Sequence, residues 1–164
     1  MKRIIAAVIC SLPLMALSKD NPDESFFKNA AEAGISEVEA GKMAEGKGTS
    51  AAVKEFAAMM VKDHSAANAK LKKLAVSKGI ELPTEPSMME KAKAKKTDIK
   101  SGDSFDKDYL QGQIKAHKDT IDLLQKEIDS GKDPEARAFA TDTLPTVKMH
   151  LQKVEQIAAA AGVK

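Results

Sequence analysis

Four long stretches in which apolar residues recur at intervals of three and four constrain the fold of this chain more than any other feature. Such spacing places the apolar side chains along one face of a helix. Glycine separates the stretches, since the first reaches Gly46-Lys47-Gly48, the second ends at Lys78-Gly79 and the third at Ser130-Gly131. The sequence therefore predicts four amphipathic helices of about 25 residues each.

Residue types at the helix starts support the same division. Helix 1 begins at Asp23-Glu24, whose acids suit a first turn, and Thr49 or Ser50 is predicted to cap helix 2. Helix 3 starts near Asp103-Ser104. Helix 4 opens at Asp133-Pro134-Glu135, where the aspartate caps the helix and the proline occupies its first turn without losing a needed hydrogen bond.

The predicted fold is an all-α, ferritin-like four-helix bundle formed by a single domain, residues 19–164. Aromatic residues make up only 4% of the chain, which favours helix over sheet, and 164 residues are too few for a multidomain enzyme. Pro83 and Pro86 break the helical pattern between helices 2 and 3. Residues 80–102 are therefore predicted to be a long crossover with one short helix, which lets helix 3 run parallel to helix 2.

The beginning of the chain is typical of a secretory signal peptide. Lys2 and Arg3 precede an apolar run that is too short to span a membrane, and small residues follow it up to Ser18. We predict cleavage after Ser18, export to the periplasm, and a mature chain without a transmembrane segment. The single cysteine, Cys10, would be removed, so the mature protein would have no disulfide.

Charge gives no support for nucleic-acid binding. Loss of Lys2 and Arg3 leaves 24 basic residues against 24 acidic ones, so the mature chain has no basic field to attract nucleic acid. The lysine-rich part of the crossover is flanked by Glu90 and Asp98 and is interpreted as a solvated helix face.

The three histidines form the candidate site. His64, His117 and His150 lie on the apolar faces of three different helices, each about 15 to 17 residues from a helix-connecting turn. If the helices pack as a bundle, the three imidazoles meet in its middle layer. Helix 1 adds Glu37, although Glu32 and Glu39 compete with it, and three imidazoles with a carboxylate suit zinc or a similar divalent ion.

Two alternatives to a zinc site remain open. Buried neutral histidines can instead bond to backbone carbonyls, to aspartates or to one another, and fix the helix register without any metal. Copper is compatible with the set as well, because Met60 precedes His64 by one helical turn and supplies a soft thioether. The alternative role for this methionine is core packing.

Di-iron chemistry is not predicted. Bundles of that kind carry glutamate three residues before histidine, and the corresponding positions here are Val61, Ile114 and Val147. The absence of these glutamates favours a binding role over catalysis.

Four segments carry a resemblance to a known bacterial family: Gly34 to Glu39, Phe56 to His64, Lys115 to Lys118, and Phe139 to Leu151. Over about residues 26–160 the chain resembles an exported domain-of-unknown-function family of the ferritin-like superfamily, whose members are often described as predicted outer membrane proteins. The resemblance implies export and a bundle fold. It places Asp63-His64, His117 and His150 in the family's pattern, with Glu37 as the acid of helix 1, and it implies no activity.

We therefore expect an exported, soluble helical bundle that binds a divalent metal ion, zinc or copper, through His64, His117, His150 and Glu37, in metal handling or stress protection. The alternative function is a structural or protein-interaction module in which the histidines serve core packing.

Overall fold

The fold is described from a computed structural model, which covers residue 21 and residues 23–163. This part of the chain contains five α-helices and no strand, so the all-α prediction is confirmed. The helices are α1 (Glu24–Lys47), α2 (Ala51–Ser77), α3 (Met88–Asp98), α4 (Gly102–Ser130) and α5 (Pro134–Ala160). The predicted signal peptide, residues 1–18, and Cys10 lie outside the described residues.

The four long helices pack side by side. α1 packs against α2 and α4, and α5 packs against α4 and α2, while α3 contacts α1 and α4. α1 and α2 approach closely at Gly41, where an added Cβ would lie 2.8 Å from a Val61 methyl group and 3.0 Å from the Ala57 carbonyl oxygen. None of the five helices is long and apolar enough to cross a membrane.

Two apolar clusters form the core between the long helices. The fully buried phenylalanines Phe27 and Phe56 mark one cluster each. The Phe27 cluster includes Leu71 and Leu124, and the Phe56 cluster includes Leu110. Side chains in both clusters come from all four long helices, so burial of the four predicted apolar faces holds the helices together.

The start of α2 differs from the prediction. Ser50 precedes the helix, but its side chain makes no capping hydrogen bond. The carboxylate of Asp106, from α4, instead accepts hydrogen bonds from the backbone N–H groups of Thr49 and Ser50, at 2.9 and 2.8 Å. A long-range contact therefore replaces the predicted local cap, whereas Asp133 caps α5 through its own side chain as predicted.

A buried carboxyl group lies where α4 approaches the start of α1. Glu127 is 6% exposed, and one of its oxygens has no hydrogen-bond partner. Burial, with the neighbouring Asp23 and Asp133, raises the pKa of Glu127 from 4.5 to about 7. The folded state therefore binds more protons at this residue than the unfolded state does between pH 4.5 and 7, and its contribution to stability is lost as the pH rises through 7.

We expect Glu127→Gln to stabilise the protein at pH 8 by about 1–3 kcal/mol and to leave its stability at pH 4 nearly unchanged, because the amide stays neutral at both pH values. Urea unfolding at the two pH values measures this. Asp122→Asn, an exposed acid on the same helix, is the matched control and should show no such pH dependence. If Glu127→Gln stabilised the protein equally at pH 4, the titration of Glu127 could not be the cause of the increase in stability.

Candidate metal centre

A layer of polar residues separates the two apolar clusters. Along each long helix, one buried ionisable residue lies between the part that enters the Phe27 cluster and the part that enters the Phe56 cluster. These residues are Glu37 in α1, His64 in α2, His117 in α4 and His150 in α5. Four helices thus place ionisable groups in this layer. The count from the turns predicts one level for the three histidines, whereas it places Glu37 about one helical turn away from them.

The three histidines contact one another within this layer. Their ring centroids are 5.5 to 5.6 Å apart for all three pairs. Each ring offers one ligand nitrogen, and these three nitrogens lie within 4.8 Å of one another. The side chains are 8%, 1% and 1% exposed for His64, His117 and His150, so the cluster is closed to bulk water.

The hydrogen bond of His117 fixes which of its nitrogens is free. Its Nδ1 lies 2.9 Å from the backbone carbonyl oxygen of Gln113, one turn earlier in α4. A carbonyl oxygen can only accept, so Nδ1 carries the proton and Nε2 carries a lone pair. That Nε2 atom is buried and has no hydrogen-bond partner among the described residues.

His150 is held in the opposite tautomer. Its Nε2 lies 3.1 Å from a carboxylate oxygen of Asp63, the residue next to His64 in α2. The proton therefore belongs on Nε2, and the lone pair is on Nδ1, which is buried and without a partner in the described structure. A carboxylate that orients a histidine in this way is a common companion of metal-bound imidazole.

All three rings are neutral at neutral pH. Burial, together with the nearby His117 and His150, lowers the pKa of His64 to about 3. Burial lowers the pKa of His117 to about 4, although its hydrogen bond to the Gln113 carbonyl opposes the shift. Burial also lowers the pKa of His150, against the opposing effect of Asp63. Neutral imidazole is the form that binds a metal ion.

Glu37 lies beside Nδ1 of His117, the ring nitrogen that carries the proton. Its Oε1 is 3.9 Å from Nδ1 of His117, and its Oε2 accepts a hydrogen bond of 2.7 Å from the Gln113 side chain. The residue is 4% exposed, and burial raises its pKa to about 7. Glu37 thus touches the back of the cluster, and its carboxylate is not part of the group of three ligand nitrogens.

The structure therefore brings together the three predicted histidines and places the three candidate acids differently. Glu37 is buried behind His117, and together with Glu32 and Glu39 it lines a cavity between α1, α3 and α4. Gln113 plays no part in the sequence prediction. Its position one turn before His117, on the same helix face, was the available signal.

Comparison with known proteins identifies the family. The family described as "Domain of unknown function (DUF4142)" matches residues 13–157, and the chain belongs to it. No curated protein matches the chain. Among solved structures, the chain is similar to the "Crystal structure of DUF305 fragment from Deinococcus radiodurans", with a TM-score of 0.75 and 13% identity over 85% of this chain and 97% of that one. At this identity the similarity concerns the fold alone.

Proposed function

We propose that this member of the DUF4142 family binds one divalent metal ion, zinc or copper, through His64, His117 and His150. Two observations carry the proposal: one ligand nitrogen from each ring lies within 4.8 Å of the others, and each ring has one buried nitrogen without a hydrogen-bond partner among the described residues. Two of these nitrogens are lone-pair acceptors because His117 and His150 direct their protons elsewhere.

The energetics favour a cation over packing alone. A buried polar atom without a partner costs about 1–3 kcal/mol. The free nitrogens of His117 and His150 are both acceptors, so neither can donate to the other. A metal ion satisfies all three lone pairs at once. On zinc, ligand nitrogens at about 2.0–2.1 Å from the ion are about 3.4 Å apart, so each ring would move inward by less than about 1 Å.

Solvent can supply a fourth ligand beside His64, which lines a small cavity that His117 and His150 do not line. This cavity of about 30 Å³ is also lined by Asn68 and Thr120. This volume is enough for one water molecule, and these polar side chains could hold it. Three imidazoles with one solvent ligand suit zinc, and Met60, one turn before His64 and fully buried, adds a reason to test copper.

The finer fold and the cellular role belong to the same proposal. We infer that the four long helices form a ferritin-like four-helix bundle with α3 in its crossover, and that residues 1–18 direct export to the periplasm. The proposed role is metal handling or stress protection, with no nucleic-acid partner. Val61, Ile114 and Val147 stand where di-iron enzymes need glutamate, which argues against catalysis of that type.

Elemental analysis tests the proposal directly. Purified protein is equilibrated with zinc or copper, desalted and measured for bound metal. We expect about one ion per chain in the wild type and less than about a tenth of that in each of His64→Ala, His117→Ala and His150→Ala. Lys148→Ala, an exposed neighbour of His150, is the matched control and should retain the metal.

The competing function is a structural or interaction module whose histidines serve core packing. The hydrogen bonds of His117 to Gln113 and of His150 to Asp63 favour it, since each histidine already has one partner inside the protein. Wild-type protein that retains neither metal would establish this alternative. Retention of metal by all three variants would show that the ion binds elsewhere.

A further inference from the structure

A cavity of about 390 Å³ lies between α1, α3 and α4, and it adjoins the histidine cluster through Glu37 and Gln113, which line it. None of the three histidines lines it. A volume of this size is typical of sites that hold a small organic molecule.

The cavity exists because α3 covers this region without filling it. The half-buried residues of α3 that line the cavity are Glu90, Ala94 and Thr97, which share one helix face. The large apolar side chains of the same segment, Met88 and Met89, are 80% and 67% exposed instead. The facing helices contribute further small residues: Ala33, Ala40, Gly112 and Ala116. Small side chains on three helices leave space where leucine would ordinarily pack.

Buried polar atoms without partners concentrate around this cavity. Seven such side-chain atoms occur in the described part of the chain: three belong to the histidines, one to Glu127, and three to residues of the cavity wall. The wall atoms are the hydroxyl oxygens of Ser36 and Tyr109 and Oε1 of Gln113. Tyr109 and Gln113 are only 4% and 3% exposed. Native structures contain few such atoms, so polar pairing behind this wall is incomplete.

The charges around the cavity favour a positively charged ligand. Six acidic residues line it against two lysines, Lys93 and Lys115. Two of the six add little negative charge, since burial raises the pKa of Glu37 to about 7 and Asp108 is paired with Lys100 at 2.5 Å. Both lysines are engaged, with Glu90 at 2.5 Å and with Asp119 at 2.6 Å. No ion pair with a described lysine or arginine involves Glu32 or Glu39, which leaves negative charge on the α1 side. An ammonium group donates three hydrogen bonds, and the carboxylate oxygens of Glu32 and Glu39 can accept them.

We propose that this cavity binds a small organic cation, an amine with a compact apolar body, enclosed by α3. The apolar body would occupy the space between the small side chains. The ammonium group would face the carboxylates of α1.

A matched set of probes tests the charge requirement. Phenethylamine, tryptamine and cyclohexylmethylamine are each compared with the corresponding alcohol and carboxylate by calorimetric titration. We expect at least one amine to bind with a dissociation constant about tenfold lower than that of its alcohol, and the carboxylate to bind most weakly. The double variant Glu32→Gln/Glu39→Gln should lose most of the preference for the amine.

Gly112 supplies the test of location. A Cβ added at Gly112 meets no atom within 4 Å, so a larger side chain fits there and takes up cavity space. Gly112→Leu should weaken amine binding by about tenfold or more, whereas Gly112→Ala should retain it. The proposal is overturned if no amine of the set binds the wild type, if alcohols bind as well as amines, or if Gly112→Leu binds amines normally. Normal metal content in Gly112→Leu confirms an intact core, so failure here is distinguishable from failure of the metal site.

Discussion

Zinc is expected to raise the unfolding temperature of the wild-type protein by about 10 °C, and His117→Ala is expected to abolish this increase. A ligand that binds only the folded state stabilises it by about 4 kcal/mol when its free concentration is a thousandfold above its dissociation constant. For a domain of this size, each kcal/mol corresponds to roughly 2–4 °C. His117 is the most informative position, since its Nε2 is fully buried and its tautomer is fixed by the Gln113 carbonyl.

The quantity to compare is the zinc-dependent increment, measured by thermal unfolding with zinc and with a chelator. Truncation of His117 creates a cavity and lowers stability by itself, so the unfolding temperature alone would not be informative. Asp63→Asn provides a graded comparison. It keeps the shape of the side chain but removes the charge that orients His150, and should weaken zinc binding by about 10-fold to 100-fold. An unchanged zinc increment in His117→Ala would contradict the proposed ligand set.

The positions of the helices along the chain could be predicted because they depend on local features. Apolar periodicity, the glycines that follow α1, α2 and α4, and the Asp133-Pro134 start of α5 act within a few residues of the chain. The three histidines could be placed at one level for a related reason. A helix advances by a fixed rise per residue, so distance from a turn converts directly into depth along the helices.

The parts that were not predicted depend on contacts between distant segments. The N–H groups before α2 are bound by Asp106, which lies 56 residues after Ser50 in the chain. The sequence places Glu37 on the core-facing side of α1. This placement does not determine which nitrogen of His117 the carboxylate of Glu37 approaches. The cavity beneath α3 arises from small residues on three helices together, and no single helix pattern reveals a space of that kind.

Phe56 connects the stability of the core to the geometry of the metal site. Its ring is fully buried, and its centroid lies 6.3 Å from those of both Tyr109 and His117. We expect Phe56→Ala to lower the free energy of unfolding by about 3–5 kcal/mol, through lost burial and the cavity that remains. Urea unfolding of the metal-free protein measures this effect.

Phe27→Ala is the matched control for the effect on the site. Phe27 is equally buried but lies in the other apolar cluster, where its ring contacts that of Phe26 edge-on. Both substitutions should therefore destabilise the protein by similar amounts. Only the loss of Phe56 removes a ring that packs against His117, so only that variant should also bind zinc less tightly, by about tenfold.

The conservative variants Phe56→Leu and Phe27→Leu keep the comparison available if either alanine variant fails to fold. Leucine preserves most of the buried volume, so the expected cost in stability falls to about 1–2 kcal/mol, while the aromatic contact with His117 is still lost. Equal zinc affinity in the two leucine variants would mean that the imidazole is held by the Gln113 carbonyl alone. A selective loss in Phe56→Leu would show that the apolar cluster itself orients the ligand, and that packing on one side of the polar layer determines metal affinity within it.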